Sequence, residues 1–285
     1  MEKLNRLGWA AGLSFVSHGV RVGIRVNDPT ALERVSTHLP PGWKPSRSTI
    51  VDQLCSLVVG GSARPGIRRY NLLYWGAGMM ARTLDRDEIF QALKALLDLV
   101  VATQAPRRLF VRAAVAGWNG RAVLICGPPS SGKTTLLEAL IRAGATYYSD
   151  QYAVLDSRGR VHPYVNSVRP GDAANGQGRK RPVDILAGRI GARPLPIGLI
   201  IITQYRRGAH WRPRVLSRGQ AMLALLAESI QVRLQPNLAL ALCRRAAASA
   251  TTLRGKRAEA ADVVLRLLNH LSSGNHDRHL VTSET

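Results

Sequence analysis

The chain has 285 residues, and 46% of them are hydrophobic, which is enough apolar material for about two packed domains and excludes an intrinsically disordered chain. The 26 glycines and 15 prolines exclude a collagen-like or low-complexity composition. Lys and Arg total 40 against 18 Asp and Glu, a formal net charge of +22. Arg-rich codon usage explains such a charge, and so does an acidic partner such as phosphate, nucleic acid or an acidic peptide.

The cysteines and the hydropathy pattern favour a reducing compartment. Cys55, Cys126 and Cys243 are far apart and match no metal-binding spacing, so we expect them to be buried as small apolar side chains. The first residues lack the apolar run of a signal peptide, and no stretch approaches the roughly 18 apolar residues of a membrane helix. We therefore expect a cytoplasmic protein with no membrane partner.

The N-terminal part, residues 1–106, is predicted to be a small α+β domain. Three of its elements have a clear pattern: a hairpin of strands 13–16 and 20–26, a short helix over 29–39, and an amphipathic helix from Asp85 to about Val101. Residues 40–85 give no clear pattern, and residues 104–108 are expected to link this domain to the next.

The C-terminal part, residues 107–285, is predicted to be an α/β domain. Apolar runs predict strands over 109–116, 121–126, 145–149, 152–156, 161–164 and 197–203. Helical periodicity favours one helix ending near Ala143 and two more over 217–231 and 257–271. The polar, basic segment 169–182 is interpreted as a loop, and residues 272–285 as a flexible tail.

A glycine-rich loop at residues 127–134 carries the chemistry. Its sequence, GPPSSGKT, matches the phosphate-binding pattern G-x-x-x-x-G-K-[ST] and lies between an apolar strand and a helix, as that pattern requires. The loop's N–H groups and the helix N-terminus attract phosphate, Lys133 reaches the β- and γ-phosphates, and the Thr134 hydroxyl can ligate Mg²⁺. We therefore predict that ATP and Mg²⁺ bind at Gly127, Pro128, Pro129, Ser130, Ser131, Gly132, Lys133, Thr134 and Thr135.

Asp150 is the candidate acid of this site. It ends the strand that follows the loop helix, and we expect that strand to lie beside the loop strand, with Asp150 at the phosphate edge. A carboxylate there can hold Mg²⁺ or accept a proton from an attacking hydroxyl; the alternative is an ordinary turn aspartate. The apolar strand 199–202 is followed by Thr203 and Gln204, so the usual Mg²⁺ aspartate is missing there. That argues against standard motor, AAA+ and transporter ATPases.

Other polar residues have a structural and a functional interpretation. His162 either approaches the phosphate edge or belongs to the hairpin, and Asp156 either ligates a second metal ion or forms the turn. The basic run 179–181 and the arginine pair 206–207 either contact phosphates and substrate or are simply solvated.

Part of the C-terminal half resembles the HPr kinase/phosphorylase superfamily: GPPSSGKTTLLEALIRAGATYYSDQYAVLDSRGRVHPYVNSVR. The similar elements are the loop, the Ser149-Asp150 pair before an apolar hairpin, and the basic residue that ends the segment 163–169. With the later segments LIIITQYRRGA and LSRGQAMLALLAES, the resemblance covers roughly residues 109–230. The nearer match is the HPr-kinase-like branch, which includes kinases encoded beside lasso-peptide biosynthesis genes.

The resemblance implies a fold, a reaction and residue roles. The fold is a PEP carboxykinase/HPr kinase-like P-loop domain with a smaller N-terminal α+β domain. The reaction is ATP-dependent phosphorylation of a serine hydroxyl on a peptide or protein, by analogy a lasso precursor peptide. Lys133 and Thr134 would bind phosphate and Mg²⁺, Asp150 would be the catalytic aspartate, and Arg169 would face the phosphates or the substrate. Typical members assemble through this domain, which implies a homo-oligomer.

Three departures from the family pattern keep a second function open. Gln151 stands in place of a second aspartate, Thr135 in place of an acid after the loop, and Arg112 in place of a histidine. They favour a nucleotide-binding regulatory protein that has lost phosphoryl transfer. A nucleic-acid-linked ATPase is a third interpretation, and it rests only on a net charge that is spread along the chain.

Overall fold

The computed structural model describes residues 5–60, 69–165 and 189–273. The chain forms two compact units, Met1–Arg107 and Arg108–Thr285, and both combine helices with strands. Within the described ranges, no helix has both the length and the apolar character that crossing a bilayer requires.

Among its described residues, the first unit contains six strands and two helices. The strands are β1 (Ala11–Ser17), β2 (Val20–Val26), β3 (Lys44–Pro45), β4 (Gln53–Val58), β5 (Asn71–Trp75) and β6 (Gly78–Thr83), and the helices are α1 (Ala31–Ser36) and α2 (Arg86–Gln104). The sheet order is β3-β1-β2-β4-β5-β6. The predicted hairpin is confirmed, because β1 and β2 pair antiparallel across His18 and Gly19, whose φ angles of 49° and 87° turn the chain. Strands β3 to β6 occupy the region that gave no clear pattern.

Helix α2 begins where the acidic run predicts. The Asp85 side chain accepts hydrogen bonds from the N–H groups of Asp87 and Glu88, which satisfies two donors of the first turn. One face of the helix is buried, including Ile89, Phe90, Leu93 and Leu97. The helix ends at Gln104, slightly beyond the predicted end.

The second unit contains nine strands and four helices among its described residues. The strands are β7 (Leu109–Arg112), β8 (Ala114–Trp118), β9 (Arg121–Cys126), β10 (Thr146–Ser149), β11 (Tyr152–Leu155), β12 (Arg160–His162), β13 (Leu195–Tyr205), β14 (Arg214–Val215) and β15 (Thr251–Arg257). The helices are α3 (Lys133–Arg142), α4 (Arg218–Glu228), α5 (Pro236–Ser249) and α6 (Ala261–Ser273). The sheet order is β10-β8-β9-β13-β12-β11-β7, with β15 beside β13 and β14 beside β15.

Strand β13 organises this sheet. Its first residues pair with β12, and the remainder pairs in parallel with β9 on one side and β15 on the other. Helices α3 and α6 share one apolar core with Val123 and Ile125 of β9, while α4 and α5 share another with Ala122 and Leu124. Because neighbouring side chains of β9 enter opposite cores, both faces are buried, which explains the nearly continuous apolar sequence of β9 and β13.

Three elements differ from their sequence-based predictions. The strand predicted over 109–116 is interrupted at Ala113, so that β7 pairs with β11 while β8 pairs with β9 and β10. The helix predicted over 257–271 begins only at Ala261, because the chain up to Arg257 belongs to β15. Helix α5 was not predicted. Strand β15 carries a single large apolar side chain, Leu253, so its pairing with β13 determines its structure and no local pattern indicates it.

Candidate nucleotide-binding site

The loop between β9 and α3 has the backbone of an anion-binding turn. Gly127, Ser130 and Gly132 have φ angles of 153°, 62° and 83°, values that L side chains rarely adopt. The loop tip at residues 128–130 is exposed, as are Thr134 and Thr135 in the first turn of α3. The exposed tip and the helix N-terminus can therefore present N–H donors to an anion from solvent.

Gly127 allows the loop to pack directly on β13. A Cβ atom at Gly127 would lie 2.4 Å from the Thr203 carbonyl oxygen and 2.7 Å from Ser131 Oγ. The Tyr205 N–H donates a hydrogen bond of 3.0 Å to the Ser131 carbonyl oxygen. The end of β13, which carries no aspartate, thus supports the loop through its backbone.

Lys133 folds back over the loop that precedes it. Its Nζ donates hydrogen bonds to the carbonyl oxygens of Gly127, at 2.7 Å, and Pro128, at 2.8 Å. These bonds hold the ammonium group against the loop, next to the N-terminus of α3. A cation held there can contact the phosphates of a nucleotide bound by the loop.

Arg257, at the end of β15, holds the other end of the loop. Its side chain is fully buried; Nη2 donates to the Gly132 carbonyl oxygen at 2.6 Å, and Nη1 donates to the Ala258 carbonyl oxygen at 2.9 Å. Burial lowers the pKa of this guanidinium, and the negative charge of Glu259 partly offsets that effect. No local pattern indicates this contact, since it depends on the parallel pairing of β15 with β13.

Glu228, the last residue of α4, is a carboxylate close to the loop that the sequence analysis also missed. Burial raises its pKa, and the positive charges of Lys133 and Arg112 partly offset the rise. The charges of Glu228 and Lys133 also act on Cys126 at the end of β9, where burial raises the thiol pKa to about 12. A glutamate at a helix end has no sequence signature that distinguishes it from other surface acids.

Asp150 lies at the same sheet edge as the loop but not beside the loop strand. Strand β10 pairs with β8, which separates it from β9, so the prediction that the two strands are neighbours is wrong. Because β10 and β9 are both antiparallel to β8, their carboxyl ends meet at one edge, two strand spacings or roughly 10 Å apart. The Tyr147 hydroxyl donates to Asp150 Oδ1 at 2.9 Å. Asp150 therefore already has one hydrogen-bond partner, in the strand that precedes it.

Two of the departures from the family pattern lie close to this edge. Arg112, at the end of β7, pairs with Tyr152 and is exposed. Gln151 directly precedes Tyr152, and the N–H groups of both residues donate to Ser149 Oγ, at 3.2 and 3.0 Å. This turn fixes the chain on either side of Asp150.

Asp156 and His162 form a separate cluster at the opposite end of β11. Asp156 accepts hydrogen bonds from the backbone N–H groups of Arg158 and Arg160 and from the Arg160 side chain, and its Oδ2 is 3.0 Å from His162 Nε2. Burial raises the pKa of Asp156, but the hydrogen bonds outweigh it and lower the pKa to about 2. Of the two interpretations of His162 and Asp156, the hairpin and turn are therefore favoured, because the His162 ring contacts the turn carboxylate.

The remaining predicted basic residues divide into two groups. Arg206 and Arg207 follow β13 at the loop edge and are exposed, and the Arg206 N–H donates to the Arg257 carbonyl oxygen at 2.8 Å. Arg169 and the basic run 179–181 lie outside the described residues.

The predicted Mg²⁺ ligands, Thr134 and Asp150, offer the oxygen atoms that this ion prefers. The described ranges contain no group of three or more His, Cys, Asp or Glu side chains arranged to hold a metal ion. Mg²⁺ bound with a nucleotide commonly uses one or two protein oxygens together with phosphates and water. The exposed Thr134 hydroxyl at the N-terminus of α3 fits that kind of coordination.

Comparisons with known proteins give little beyond this geometry. No protein-family model matches the sequence, and no curated protein matches it. Among solved structures, the Hpr(Ser) kinase/phosphatase from Coxiella burnetii aligns with 60% of this chain and 98% of its own, at 14% sequence identity and a TM-score of 0.33. A TM-score this low carries no assignment, so the function has to be inferred from the residues around the loop.

Proposed function

We propose that this protein is an ATP-dependent kinase that phosphorylates a serine hydroxyl of a peptide or protein. The observation that carries the proposal is the arrangement around residues 127–134. A buried strand ends at Cys126, the loop that follows contains three residues with positive φ angles, and Lys133 holds its ammonium group over the loop at the N-terminus of α3. A loop of this sequence and geometry binds the phosphates of a nucleoside triphosphate.

Each part of the loop has a role in binding. Its N–H groups and the N-terminus of α3 bind the phosphate oxygens, and Lys133 neutralises charge on the β- and γ-phosphates. Thr134, with Asp150 at the same sheet edge, would hold Mg²⁺. When bound, the ion shields the negative charge of the phosphates from an incoming nucleophile.

Two carboxylates support phosphoryl transfer in this proposal. The serine oxygen attacks the γ-phosphorus, the bond to the β-phosphate oxygen breaks, ADP leaves, and the hydroxyl proton passes to a base. Asp150 is the base that the family resemblance implies. Glu228 is a second candidate because burial raises its pKa and because it lies within electrostatic reach of Lys133. A carboxylate with a raised pKa is a better proton acceptor than an ordinary one.

A nucleotide-binding regulatory protein without transfer activity is the second candidate function. The observation that favours it is the bond from the Tyr147 hydroxyl to Asp150 Oδ1, which occupies one oxygen of the proposed base. Gln151, Thr135 and Arg112 point the same way, since each replaces a residue of the family pattern.

One experiment identifies the acceptor and distinguishes the candidate functions. The purified protein is incubated with Mg²⁺ and ATP labelled on the γ-phosphate, in parallel with serine-containing acidic peptides, a lasso precursor peptide, DNA and RNA. The kinase proposal predicts phosphoserine on a peptide, identified by mass spectrometry. Tight ATP binding without transfer to any acceptor supports the regulatory protein, and hydrolysis stimulated by DNA or RNA supports the nucleic-acid-linked ATPase.

A further inference from the structure

A cavity of about 310 Å³ lies next to the loop edge of the second unit. It is formed by the segment 209–212, which follows β13, and by the chain that connects β15 to the first turns of α6. Its lining includes two aromatic side chains, two arginines and two acids: His210, Trp211, Arg212, Glu259, Asp262 and Arg266. Most of these groups are polar and exposed, so the cavity suits a small ligand with a flat ring and hydrogen-bonding edges.

The cavity and the phosphate-binding loop share their supports. Ala258 lines the cavity, and its carbonyl oxygen accepts a hydrogen bond from the same Arg257 side chain that binds Gly132. Tyr205 makes a second connection: its N–H donates to Ser131 of the loop, and its hydroxyl donates to Glu259 at the cavity, at 3.3 Å. The Arg257 and Tyr205 side chains therefore connect the cavity to the loop that precedes α3.

Strand order places the cavity on the opposite side of the loop from Asp150. Strands β8 and β10 lie on one side of β9 and lead to Asp150, while β13 and β15 lie on the other side and lead to the cavity. A nucleotide whose phosphates bind at the N-terminus of α3, with the γ-phosphate toward Asp150, extends its other end toward the cavity.

We propose that this cavity binds the nucleobase of the nucleotide. The inference rests on the proposed nucleotide binding, and it adds where the base lies and which side chains select it. Trp211 and His210 supply aromatic rings for stacking, and the acids and arginines supply hydrogen-bond acceptors and donors for the base edges. The Trp211 ring is held against the backbone of β15, since a Cβ atom at Gly255 would lie 3.0 Å from its Cζ3 atom. This ring is therefore positioned before a ligand binds.

The test compares the affinities for ATP and for inorganic tripolyphosphate, which has the phosphates but no base. His210→Ala combined with Arg266→Ala changes exposed side chains only, and Trp211→Ala removes the positioned ring. Both variants are expected to bind ATP about tenfold more weakly, the size of one lost stacking interaction, and to bind tripolyphosphate as the wild type does. The matched controls His270→Ala and Arg244→Ala lie on exposed positions outside the cavity and should leave both affinities unchanged.

The outcomes separate this inference from the proposed function. If the cavity variants bind ATP with wild-type affinity, or if their affinities for ATP and tripolyphosphate fall equally, the base does not lie in this cavity. If Lys133→Ala leaves the affinities for ATP and tripolyphosphate unchanged, or if the wild type binds neither ligand, the proposed function itself is wrong and the inference fails with it.

Discussion

The guanidinium Nη2 of Arg257 lies 2.6 Å from the carbonyl oxygen of Gly132, 125 residues earlier in the chain. The same oxygen accepts the N–H of Leu136 at 3.0 Å, the first hydrogen bond of α3. In a trans peptide the C=O and the next N–H point in opposite directions. Arg257 therefore fixes the peptide whose N–H belongs to Lys133 and directs that N–H out of the helix, toward the proposed phosphate site.

Replacing Arg257 tests this positioning. A buried cation beside a helix N-terminus is unfavourable unless an anion is nearby. Arg257 should therefore stabilise the protein mainly when phosphate is bound. We expect Arg257→Met to weaken ATP binding by about tenfold or more, and Arg257→Lys to recover part of the loss because it keeps the charge. Titration calorimetry gives the affinities, and thermal unfolding with and without ATP shows how much each variant is stabilised by the nucleotide. A purely structural arginine would lower both melting temperatures and leave the ATP-induced gain unchanged.

Gly127 should tolerate no side chain. Because a Cβ atom there would overlap backbone and side-chain atoms within 2.4 and 2.7 Å, Gly127→Ala must push the loop away from β13. We expect loss of ATP binding and a free energy of unfolding lower by about 2 kcal/mol or more in urea titrations. The control is Gly120→Ala, at a left-handed turn with nothing within 4 Å of the added Cβ, which should cost only about 1 kcal/mol of backbone strain and keep ATP binding. Equal effects of the two changes would contradict the packing argument.

The two carboxylates of the loop edge can be distinguished as proton acceptors. We expect Asp150→Asn and Glu228→Gln each to leave ATP binding within a few-fold of wild type, because neither residue belongs to the loop, and to slow phosphoryl transfer. Replacing the residue that serves as the base should lower the rate of phosphoryl transfer by about 10²-fold or more. Single-turnover transfer from ATP to the accepted peptide measures this effect.

The pH profile adds a signature for Glu228. Its pKa is raised, so if it is the base, the transfer rate should fall as the pH drops through a value above the ordinary pKa of glutamate, and Glu228→Gln should lose this dependence. If both variants transferred phosphate at the wild-type rate, neither Asp150 nor Glu228 would be the base.

Asp156 should contribute to stability and not to activity. Its pKa is lowered to about 2 in the folded protein from an ordinary value of 3.8, so its contribution is complete above pH 4 and is lost as the pH falls toward 2. We expect Asp156→Asn to lower the free energy of unfolding by about 1–2 kcal/mol at pH 7, and the difference from wild type to shrink in acid. Denaturant titrations from pH 7 to pH 2.5 measure this difference. If the difference in free energy of unfolding stayed constant over that range, the ionised carboxylate would not be the source of the stabilisation.

The loop at residues 127–134 is predictable from sequence because every part of it is local. The apolar strand, the glycines at residues 127 and 132, and the helix from Lys133 lie within one short stretch, and the structure contains them in that order. The amphipathic helix over 86–104 is predictable for the same reason, since its capping acid and apolar face are adjacent in sequence.

The supports of the loop are not predictable, because strand pairing brings them together over long sequence separations. Arg257 contacts the loop only because β15, a polar strand, pairs with β13, and Glu228 acts on Lys133 only because α4 ends near β7. The position of Asp150 was misjudged for a related reason. The hairpin of β8 and β9 puts β8 between the loop strand and β10, and no local pattern indicates that order.

The central claim is that residues 127–134 bind a nucleoside triphosphate, and calorimetric titration of ATP in the presence of Mg²⁺ tests it most directly. We expect the wild type to bind one ATP per chain, Lys133→Ala to bind too weakly for detection, and the control Lys44→Ala, at an exposed position in the first unit, to bind as the wild type does. Unchanged ATP affinity in Lys133→Ala, or no binding by the wild type, would contradict the claim.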